Sequence, residues 1–329
     1  MKEILEYLFN HHTLSKSEAK AIMIEIAQNK FNTAEVTAFI SVFLMRNITL
    51  NELDGFRQAL LKMAVPVDID ASDALDIVGT GGDGKNTINI STLASFVIAG
   101  AGQKVTKHGN YGASAITGSS NVLEELGYQF RNDSASLNED LEKANICFLH
   151  APYFHPALQS VGALRKSLGL RTFFNLLGPL VNPAKPQFSV IGVYNLEIAR
   201  IYQYLLQKDN REFTIVHGLD GYDEISLTAD SKIITKDGET IYSSKDLGFN
   251  PVDPQNILGG VSAKQSAKIF RNILEGAGSE DQNAVVLANA AVALYQTKKW
   301  GSYEDCLSLA KESLESGKAL NSLNLLIDR

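Results

Sequence analysis

The chain has 329 residues, of which 45% are hydrophobic and 20% are charged, and its formal net charge is −7 at pH 7. It is long enough to form a large domain with a buried core and a smaller domain beside it. The negative charge argues against broad binding to nucleic acids or anionic membranes, since neither partner would be attracted over distance.

Cysteine content and apolar segments bear on the cellular compartment. Cys147 and Cys306 are too few and too far apart for a disulfide framework or a metal knuckle, so we expect buried free thiols. Residues 1–4 do not begin a signal peptide, and the longest apolar run, 284–295, is too short to span a bilayer. We therefore expect a cytoplasmic protein with no membrane partner.

The first 65 residues are predicted to be helical throughout. Capping boxes place a side-chain acceptor at a helix start and a carboxylate three residues later. Three such patterns occur, at Ser15–Glu18, Asn32–Glu35 and Thr49–Glu52. The predicted helix from Val36 to Met45 is apolar on most faces, which indicates burial against another helix or another subunit.

After Pro66 the pattern changes to short apolar strands that alternate with helices. Strands are predicted at 74–78, 103–107, 146–150, 188–193, 213–217 and 231–235. Helices are predicted at 91–101, 119–126, 156–168 and 262–276, between the last three of these strands, and twice more at the end of the chain. This alternation indicates an α/β fold with a mainly parallel central sheet flanked by helices. We predict a small N-terminal helical domain at 1–66, joined by helices from about 156–185, and a larger α/β domain at 67–329.

The window from Gly84 to Leu123 contains no aspartate or glutamate, although about four or five are expected at this acid content. It contains Lys85, Lys104 and Lys107, together with many hydroxyl groups. Backbone N–H groups of glycine-rich loops, hydroxyls and lysines attract anions, and the lack of carboxylates removes repulsion. The window therefore predicts a pocket for a phosphate or diphosphate ester.

The glycine loop before this window matches several templates. Gly79-x-Gly81-x-x-Gly84 fits a dinucleotide fingerprint, but the acidic residue expected about twenty positions later is missing. A Walker A loop is disfavoured because Asn86 stands where a magnesium-binding Ser or Thr is required. A purely structural turn is the remaining alternative. Two further anion-friendly loops, at 107–110 and 117–120, make a phosphate site the better interpretation, since all three loops precede or follow predicted elements of one sheet.

Charged residues outside the window supply two more candidates. Asp223 and Glu224 follow a predicted strand and would emerge at the same sheet edge as the glycine loop, where carboxylates and substrate phosphates bind Mg²⁺. A solvated acidic turn is the alternative for this pair. Arg165 has the planar fork that binds a carboxylate in two places, although it could also be a surface charge, and Arg171 is a rival for the same role.

Seven segments together resemble the anthranilate phosphoribosyltransferases of tryptophan biosynthesis: Gly79–Asp83, Asn89–Thr92, Lys107–Asn110, Gly118–Ser119, Arg165–Thr172, Phe174–Pro183 and His217–Glu224. The resemblance runs from the helical N-terminus to the last helix. It implies transfer of the phosphoribosyl group from 5-phosphoribosyl 1-diphosphate to the amine of anthranilate. It also implies a homodimer, formed through the helical domain, that uses two magnesium ions in each subunit.

The resemblance also implies roles for individual residues. Contacts to phosphoribosyl diphosphate are expected from Gly79, Gly82, Asp83, Thr87, Asn89, Ile90, Ser91, Thr92, Lys107, His108, Gly109, Asn110, Tyr111, Gly112, Ala113, Ser114, Ala115 and Ser119. Anthranilate contacts are expected from Gly79, Asn110 and Arg165, and magnesium ligands from Ser91, Asp223 and Glu224. Lys107, Asp223 and Glu224 would provide electrostatic stabilisation.

Two departures and two rival functions accompany the resemblance. Tyr111 and Ile116 stand where the family usually has basic residues, so two positive charges near the diphosphate loop are missing.

A pyrimidine nucleoside phosphorylase shares the architecture, but it carries a Lys-His-Ser loop where this chain has Lys-His-Gly at 107–109. A non-catalytic nucleic-acid-binding relative would lack the carboxylate pair and would have a basic groove.

Overall fold

A computed structural model describes residues 1–112, 116–209 and 211–328, leaving out the side chain of Ser160. The predicted diphosphate contacts Ala113, Ser114 and Ala115 lie outside the described residues. The chain divides into two compact units. Unit 1 comprises Met1–Pro66 and Ala151–Pro183, and unit 2 comprises Val67–His150 and Ala184–Arg329. Among the described helices, none combines the length and apolar character that a membrane crossing requires.

The described residues form fourteen α-helices and seven strands, and short 3₁₀ turns lie at Pro156–Leu158, Phe173–Leu176, Gly178–Leu180 and Pro254–Ile257. The helices are α1 (Lys2–Phe9), α2 (Lys16–Ala27), α3 (Thr33–Met45), α4 (Leu50–Met63), α5 (Ile90–Gly100), α6 (Ser119–Glu125), α7 (Ser134–Ala144), α8 (Ala151–Phe154), α9 (Gln159–Leu168), α10 (Leu196–Leu206), α11 (Ala263–Leu274), α12 (Glu280–Gln296), α13 (Tyr303–Glu315) and α14 (Lys318–Ile327). The strands are β1 (Leu75–Gly79), β2 (Val105–Gly109), β3 (Ile146–His150), β4 (Phe188–Gly192), β5 (Glu212–Gly218), β6 (Ser231–Thr235) and β7 (Glu239–Tyr242).

Unit 1 is helical, as predicted, and its helices begin where the capping boxes place them. Both hydrogen bonds of the box are present at the starts of α2, α3 and α4. Gly55 of α4 lies against the Lys16 carbonyl at the start of α2, where a Cβ would approach to 2.5 Å, so the two helices pack closely. A cluster of phenylalanine rings from three segments fills the core of the unit: Phe39, Phe43, Phe56, Phe173 and Phe174.

An ion pair between the half-buried Arg46 and the buried Glu52 stabilises the connection between α3 and α4. Both Glu52 oxygens accept from the Arg46 guanidinium, at 2.6 and 3.0 Å, and Glu52 also accepts the Leu14 N–H at 3.0 Å. Burial opposes ionisation of Glu52, but these hydrogen bonds outweigh it and lower the pKa of the carboxyl below its usual value. Glu52, the glutamate of the third capping box, therefore also links the start of α4 to the segment just before α2.

Unit 2 is built on one seven-stranded sheet in the order β3-β2-β1-β4-β5-β6-β7. The first five strands are parallel, and β6 and β7 are antiparallel additions at one edge. Helix α5 and helices α12 and α14 are almost entirely apolar on their buried faces and belong to a single large core with the strands. The prediction of a mainly parallel sheet flanked by helices is confirmed.

Several element predictions were incomplete. The chain ends with three helices after α11 rather than two, because Ser302 caps α13 and Gly317 separates it from α14. The segment predicted as one helix at 156–168 begins as a 3₁₀ turn, and α9 starts only at Gln159. Helices were predicted between the last three predicted strands: α10 forms between β4 and β5, but residues 219–230 between β5 and β6 form a loop, so the second prediction was wrong. Helices α7 and α8 and strand β7 were not predicted. Strand β7 carries mostly exposed residues, so it lacks the apolar alternation on which strand prediction depends.

Candidate active site at the carboxyl edge of the sheet

The parallel register of unit 2 brings the ends of four strands to one edge. Gly79 pairs with Gly192 across β1 and β4, and Gly109 pairs with His150 across β2 and β3. A Cβ on Gly79 would overlap the Asp223 carboxylate, and a Cβ on Gly192 would overlap the Asp223 carbonyl oxygen. These two glycines therefore let the loop after β5 lie directly on the tips of β1 and β4.

The Asp223–Glu224 pair is held at this edge by main-chain donors from the glycine loop and from α5. The Gly81 N–H donates to Asp223 Oδ2 at 2.6 Å, and the Ser91 N–H donates to Glu224 Oε1 at 2.9 Å. Thr87 Oγ1 donates to the second Glu224 oxygen at 3.3 Å. The predicted meeting of the acidic pair with the glycine loop is thus present in the structure.

Burial and mutual repulsion make the ionised forms of these carboxyl groups costly. Desolvation, together with neighbouring negative charge, raises the pKa of both Asp223 and Glu224 above their usual values. The pKa of Asp83, which shares a hydrogen bond with Asp223, is also raised by burial. A divalent cation would compensate the negative charge of these neighbouring carboxylates. Their oxygen atoms are the type of ligand that Mg²⁺ prefers.

Protein carboxylates alone do not complete such a metal site. Within the described ranges, no group of three or more His, Cys, Asp or Glu side chains is arranged to hold a metal ion. Mg²⁺ is commonly held by one or two carboxylates and completed by substrate phosphates and water. The arrangement around Asp223 and Glu224 corresponds to that kind of site.

The glycine loop takes its shape from backbone conformation and from a distant segment. Gly81, Gly82 and Gly84 have φ values of +64°, +75° and +76°, a region that other residues rarely adopt. The Gly259 N–H donates to the Asn86 carbonyl at 2.6 Å, and the Asn86 side chain donates back to the Gly259 carbonyl at 3.4 Å. The loop is therefore held by hydrogen bonds to a segment that follows it by more than 150 residues.

The remaining anion-friendly loops lie close by in the same unit. Asn89 is left-handed (φ 49°) and precedes α5, and its side chain donates to the Thr117 carbonyl at 3.4 Å. Asn121 Oδ1 accepts the N–H groups of Gly112 and Gly118, both at 2.9 Å. Asn121 was not predicted. It sets the distance between the loop after β2 and the start of α6.

Lys107 is buried within the sheet, close to the carboxyl ends of the strands, and is not exposed there. Its side chain is 2% exposed, and Nζ donates to the Ile77 carbonyl of β1 at 2.6 Å. Burial lowers the pKa of this ammonium to about 8, although Asp76 and Glu224 oppose the shift. The side chains of His108, Ile90 and Thr92 are buried as well. The N–H groups of His108 and Thr92 donate to Asp76 Oδ1 at 3.3 Å and to the Asn89 carbonyl at 3.0 Å, so these donors are already engaged within the protein.

The predicted anthranilate residues are divided between the units. Gly79 and Asn110 belong to unit 2, whereas Arg165 lies on α9 of unit 1, where its guanidinium is 5.2 Å from the centre of the Phe174 ring. Tyr111 and Ile116, the departures from the family pattern, are 40% and 52% exposed. The Tyr111 ring contacts His150 edge to face at 5.0 Å, so an aromatic pair stands where a basic side chain was expected.

Comparison with known proteins agrees over the whole chain. Residues 2–64 match the glycosyl transferase family helical bundle domain, and residues 71–320 match its a/b domain. An anthranilate phosphoribosyltransferase of Flavobacterium johnsoniae is 53% identical over 326 residues, covering 99% of this chain and 98% of the relative.

Solved structures give the same result. The Thermus thermophilus anthranilate phosphoribosyltransferase superposes with a TM-score of 0.90 at 30% identity and 98% coverage of each chain. The Saccharomyces cerevisiae enzyme in complex with PRPP and Mg superposes with a TM-score of 0.90 at 26% identity, covering 98% of this chain and 96% of that one. The same yeast enzyme in complex with 4-fluoroanthranilate gives 0.87 at 26% identity, with 98% and 95% coverage.

The fold and the matches first define a class: a glycosyl transferase with a helical bundle domain and an α/β domain. Within that class, the chain belongs to the anthranilate phosphoribosyltransferase family. Its reaction is the transfer of the phosphoribosyl group from 5-phosphoribosyl 1-diphosphate to the amine of anthranilate, a step of tryptophan synthesis. The comparisons do not favour the phosphorylase or the nucleic-acid-binding relative.

Proposed function

We propose that the carboxyl edge of the unit 2 sheet binds phosphoribosyl diphosphate together with Mg²⁺ for this transfer. One observation carries the proposal: Asp223 is buried and Glu224 is half-buried at the strand tips, and both are held there by N–H groups of the glycine loop and of α5. A complex of the yeast relative with PRPP and Mg supports it.

In this proposal, Asp223 and Glu224 hold the metal, and Ser91 is a further ligand for one of two ions. When bound, Mg²⁺ neutralises the charge that develops on the departing diphosphate. We propose that the loops at 79–84, 107–112 and 116–119 bind the phosphates through N–H groups and hydroxyls. The N–H groups of Gly81, Gly112 and Gly118 have another role, since they donate to Asp223 and to Asn121. Lys107 contributes positive charge from beneath the strands.

The amine of anthranilate attacks C1 of the ribose with inversion, the C1–oxygen bond breaks, and diphosphate leaves with the bonding electron pair. The nitrogen, which is positively charged after the attack, then loses one proton to solvent. An aromatic amine is a neutral nucleophile, so the reaction requires no strong general base. The task of the protein is to orient the acceptor and to stabilise the leaving group. Arg165 is proposed to orient anthranilate by binding its carboxylate with the guanidinium fork.

Replacement of Arg165 by alanine is expected to raise the KM for anthranilate about 10- to 100-fold, the effect of losing a hydrogen bond to a charged group. The KM for phosphoribosyl diphosphate and kcat should change little, because the lost contact serves acceptor binding. Steady-state kinetics measure both. Lys166→Ala is the matched control, since Lys166 is an exposed cation on the same helix. Equal anthranilate KM values in the two variants would remove Arg165 from the acceptor site.

Unit 1 carries apolar side chains that suit a second copy of the chain. Tyr7 and Phe9 of α1 are 44% and 60% exposed, and Leu44 and Met45 of α3 are 39% and 88% exposed. Exposed apolar groups in neighbouring helices favour association. We propose a homodimer through this helical unit, and sedimentation velocity should give twice the mass of one chain. The cytoplasm remains the predicted compartment.

Loss of anthranilate fluorescence tests the activity directly. We expect the signal to fall when phosphoribosyl diphosphate and Mg²⁺ are both present, and to stay constant when either is left out or EDTA is added. Phosphorolysis of thymidine or uridine serves as the negative assay. Turnover of a nucleoside with phosphate, without loss of anthranilate, would contradict the proposal.

A further inference from the structure

Asn289 is a polar residue in the middle of an apolar helix. Helix α12 is buried along most of its length, and the residues around Asn289 are alanine, valine and leucine. Asn289 itself is 4% exposed. Burying a carboxamide is costly unless its hydrogen bonds are satisfied, so its partners indicate its purpose.

The Asn289 side chain binds the backbone of the residue that follows the acidic pair. Asn289 Nδ2 donates to the Ile225 carbonyl at 2.8 Å, and the Ile225 N–H donates to Asn289 Oδ1 at 3.2 Å. A third bond runs from Nδ2 to the Val285 carbonyl of the same helix at 2.8 Å. The carboxamide thus pairs with Ile225 as a neighbouring strand would, and it ties the loop to a rigid core helix.

This contact acts on Glu224 through the chain. Ile225 is completely buried, and its backbone cannot shift along the helix without breaking both bonds to Asn289. Glu224, one residue earlier, is held on its other side by the Ser91 N–H at 2.9 Å. The acidic pair is therefore fixed between α5 and α12. Of these two helices, α5 contributes to the site itself and α12 does not.

We infer that Asn289 is a positioning residue that holds Asp223 and Glu224 in the geometry required for divalent metal binding. The inference rests on the proposed metal site. Residues that orient metal ligands typically change metal affinity by about 10- to 100-fold when they are lost. Asn289 makes no direct contact with the carboxylates, so its effect should be on metal binding and should leave acceptor binding unchanged.

The variant Asn289→Leu keeps the volume of the side chain and removes its hydrogen bonds. We expect it to weaken Mn²⁺ binding, followed by electron paramagnetic resonance with phosphoribosyl diphosphate present, by about 10- to 100-fold. The anthranilate KM should stay within about twofold of the wild type, because Asn289 is proposed to position the metal ligands and not the residues that bind anthranilate. Amide hydrogen exchange at Ile225 should become faster.

Gln103→Leu is the matched control. Gln103 is also a buried carboxamide of unit 2, and its Nε2 donates to the Asp73 and Lys104 carbonyls at the opposite edge of the sheet. The Gln103→Leu variant should have a lower free energy of unfolding than the wild type, but the same affinity for Mn²⁺. Wild-type affinity in Asn289→Leu, or equal weakening in both variants, would overturn the positioning role. Failure of the wild-type protein itself to bind Mn²⁺ would instead refute the proposed metal site.

Discussion

Conversion of the acidic pair to amides, Asp223→Asn with Glu224→Gln, should lower magnesium-dependent kcat at least about a thousandfold, comparable to removing a preorganised electrostatic contact. The fold should survive. The amide oxygens can still accept the Gly81 and Ser91 N–H groups that now bind the carboxylates. The change also removes two like charges that lie next to each other at the strand tips, so we expect the melting temperature without metal to stay the same or to rise. Kinetics across a Mg²⁺ titration and thermal unfolding measure the two effects.

Asp220→Asn is the control for this variant. Asp220 lies in the same loop, but it is exposed and accepts a hydrogen bond from Thr228 Oγ1. Its replacement should leave the magnesium dependence of kcat unchanged. The assignment of Asp223 and Glu224 would be wrong if the folded double variant retained wild-type turnover. It would also be wrong if Asp220→Asn lost turnover to the same extent.

A single methyl group at Gly192 should have the second large effect. The Cβ of Gly192→Ala would overlap the Asp223 carbonyl oxygen. Because β4 is paired with β1 on one side and with β5 on the other, the loop must move away from the strand tips. Displacement of catalytic groups by about 1 Å costs about a hundredfold in rate. We expect kcat/KM to fall by about that factor, and the free energy of unfolding to fall by about 1–3 kcal/mol as in other overpacked sites.

Gly276→Ala separates loss of activity from loss of stability. Gly276 has a φ of +79°, so alanine there is strained, but no atom lies within 4 Å of the added methyl group. Its cost is expected to be about 1–2 kcal/mol in urea unfolding. It should retain wild-type kcat/KM. Wild-type activity in Gly192→Ala would show that the contact between β4 and Asp223 does not position the acidic pair.

Local signals in the sequence were sufficient for much of the fold. The capping boxes at Ser15, Asn32 and Thr49 fix helix starts through bonds between residues three apart, so their pattern is visible in a short window. Alternation of strands with helices predicted the parallel sheet, because parallel strands need crossover connections. Strand β7 was missed because its exposed position at the edge of the sheet imposes no apolar pattern.

The candidate site could be predicted only in part. The glycine loop and the acidic pair were visible as motifs, but their contact joins residues 142 positions apart and depends on β1 and β4 being neighbours. Gly192 and Asn289 carry no motif of their own. Gly192 matters because a loop lies on its strand tip, and Asn289 matters because α12 packs beside that loop. These requirements arise from tertiary packing.

Isothermal titration calorimetry with phosphoribosyl diphosphate tests the central claim most directly, because it measures binding at the sheet edge without requiring turnover. We expect saturable heat when phosphoribosyl diphosphate is titrated into the wild-type chain with Mg²⁺. The heat should disappear with EDTA or in the Asp223→Asn, Glu224→Gln variant. Absence of heat in the magnesium-loaded wild-type protein, or undiminished heat in the double variant, would contradict it.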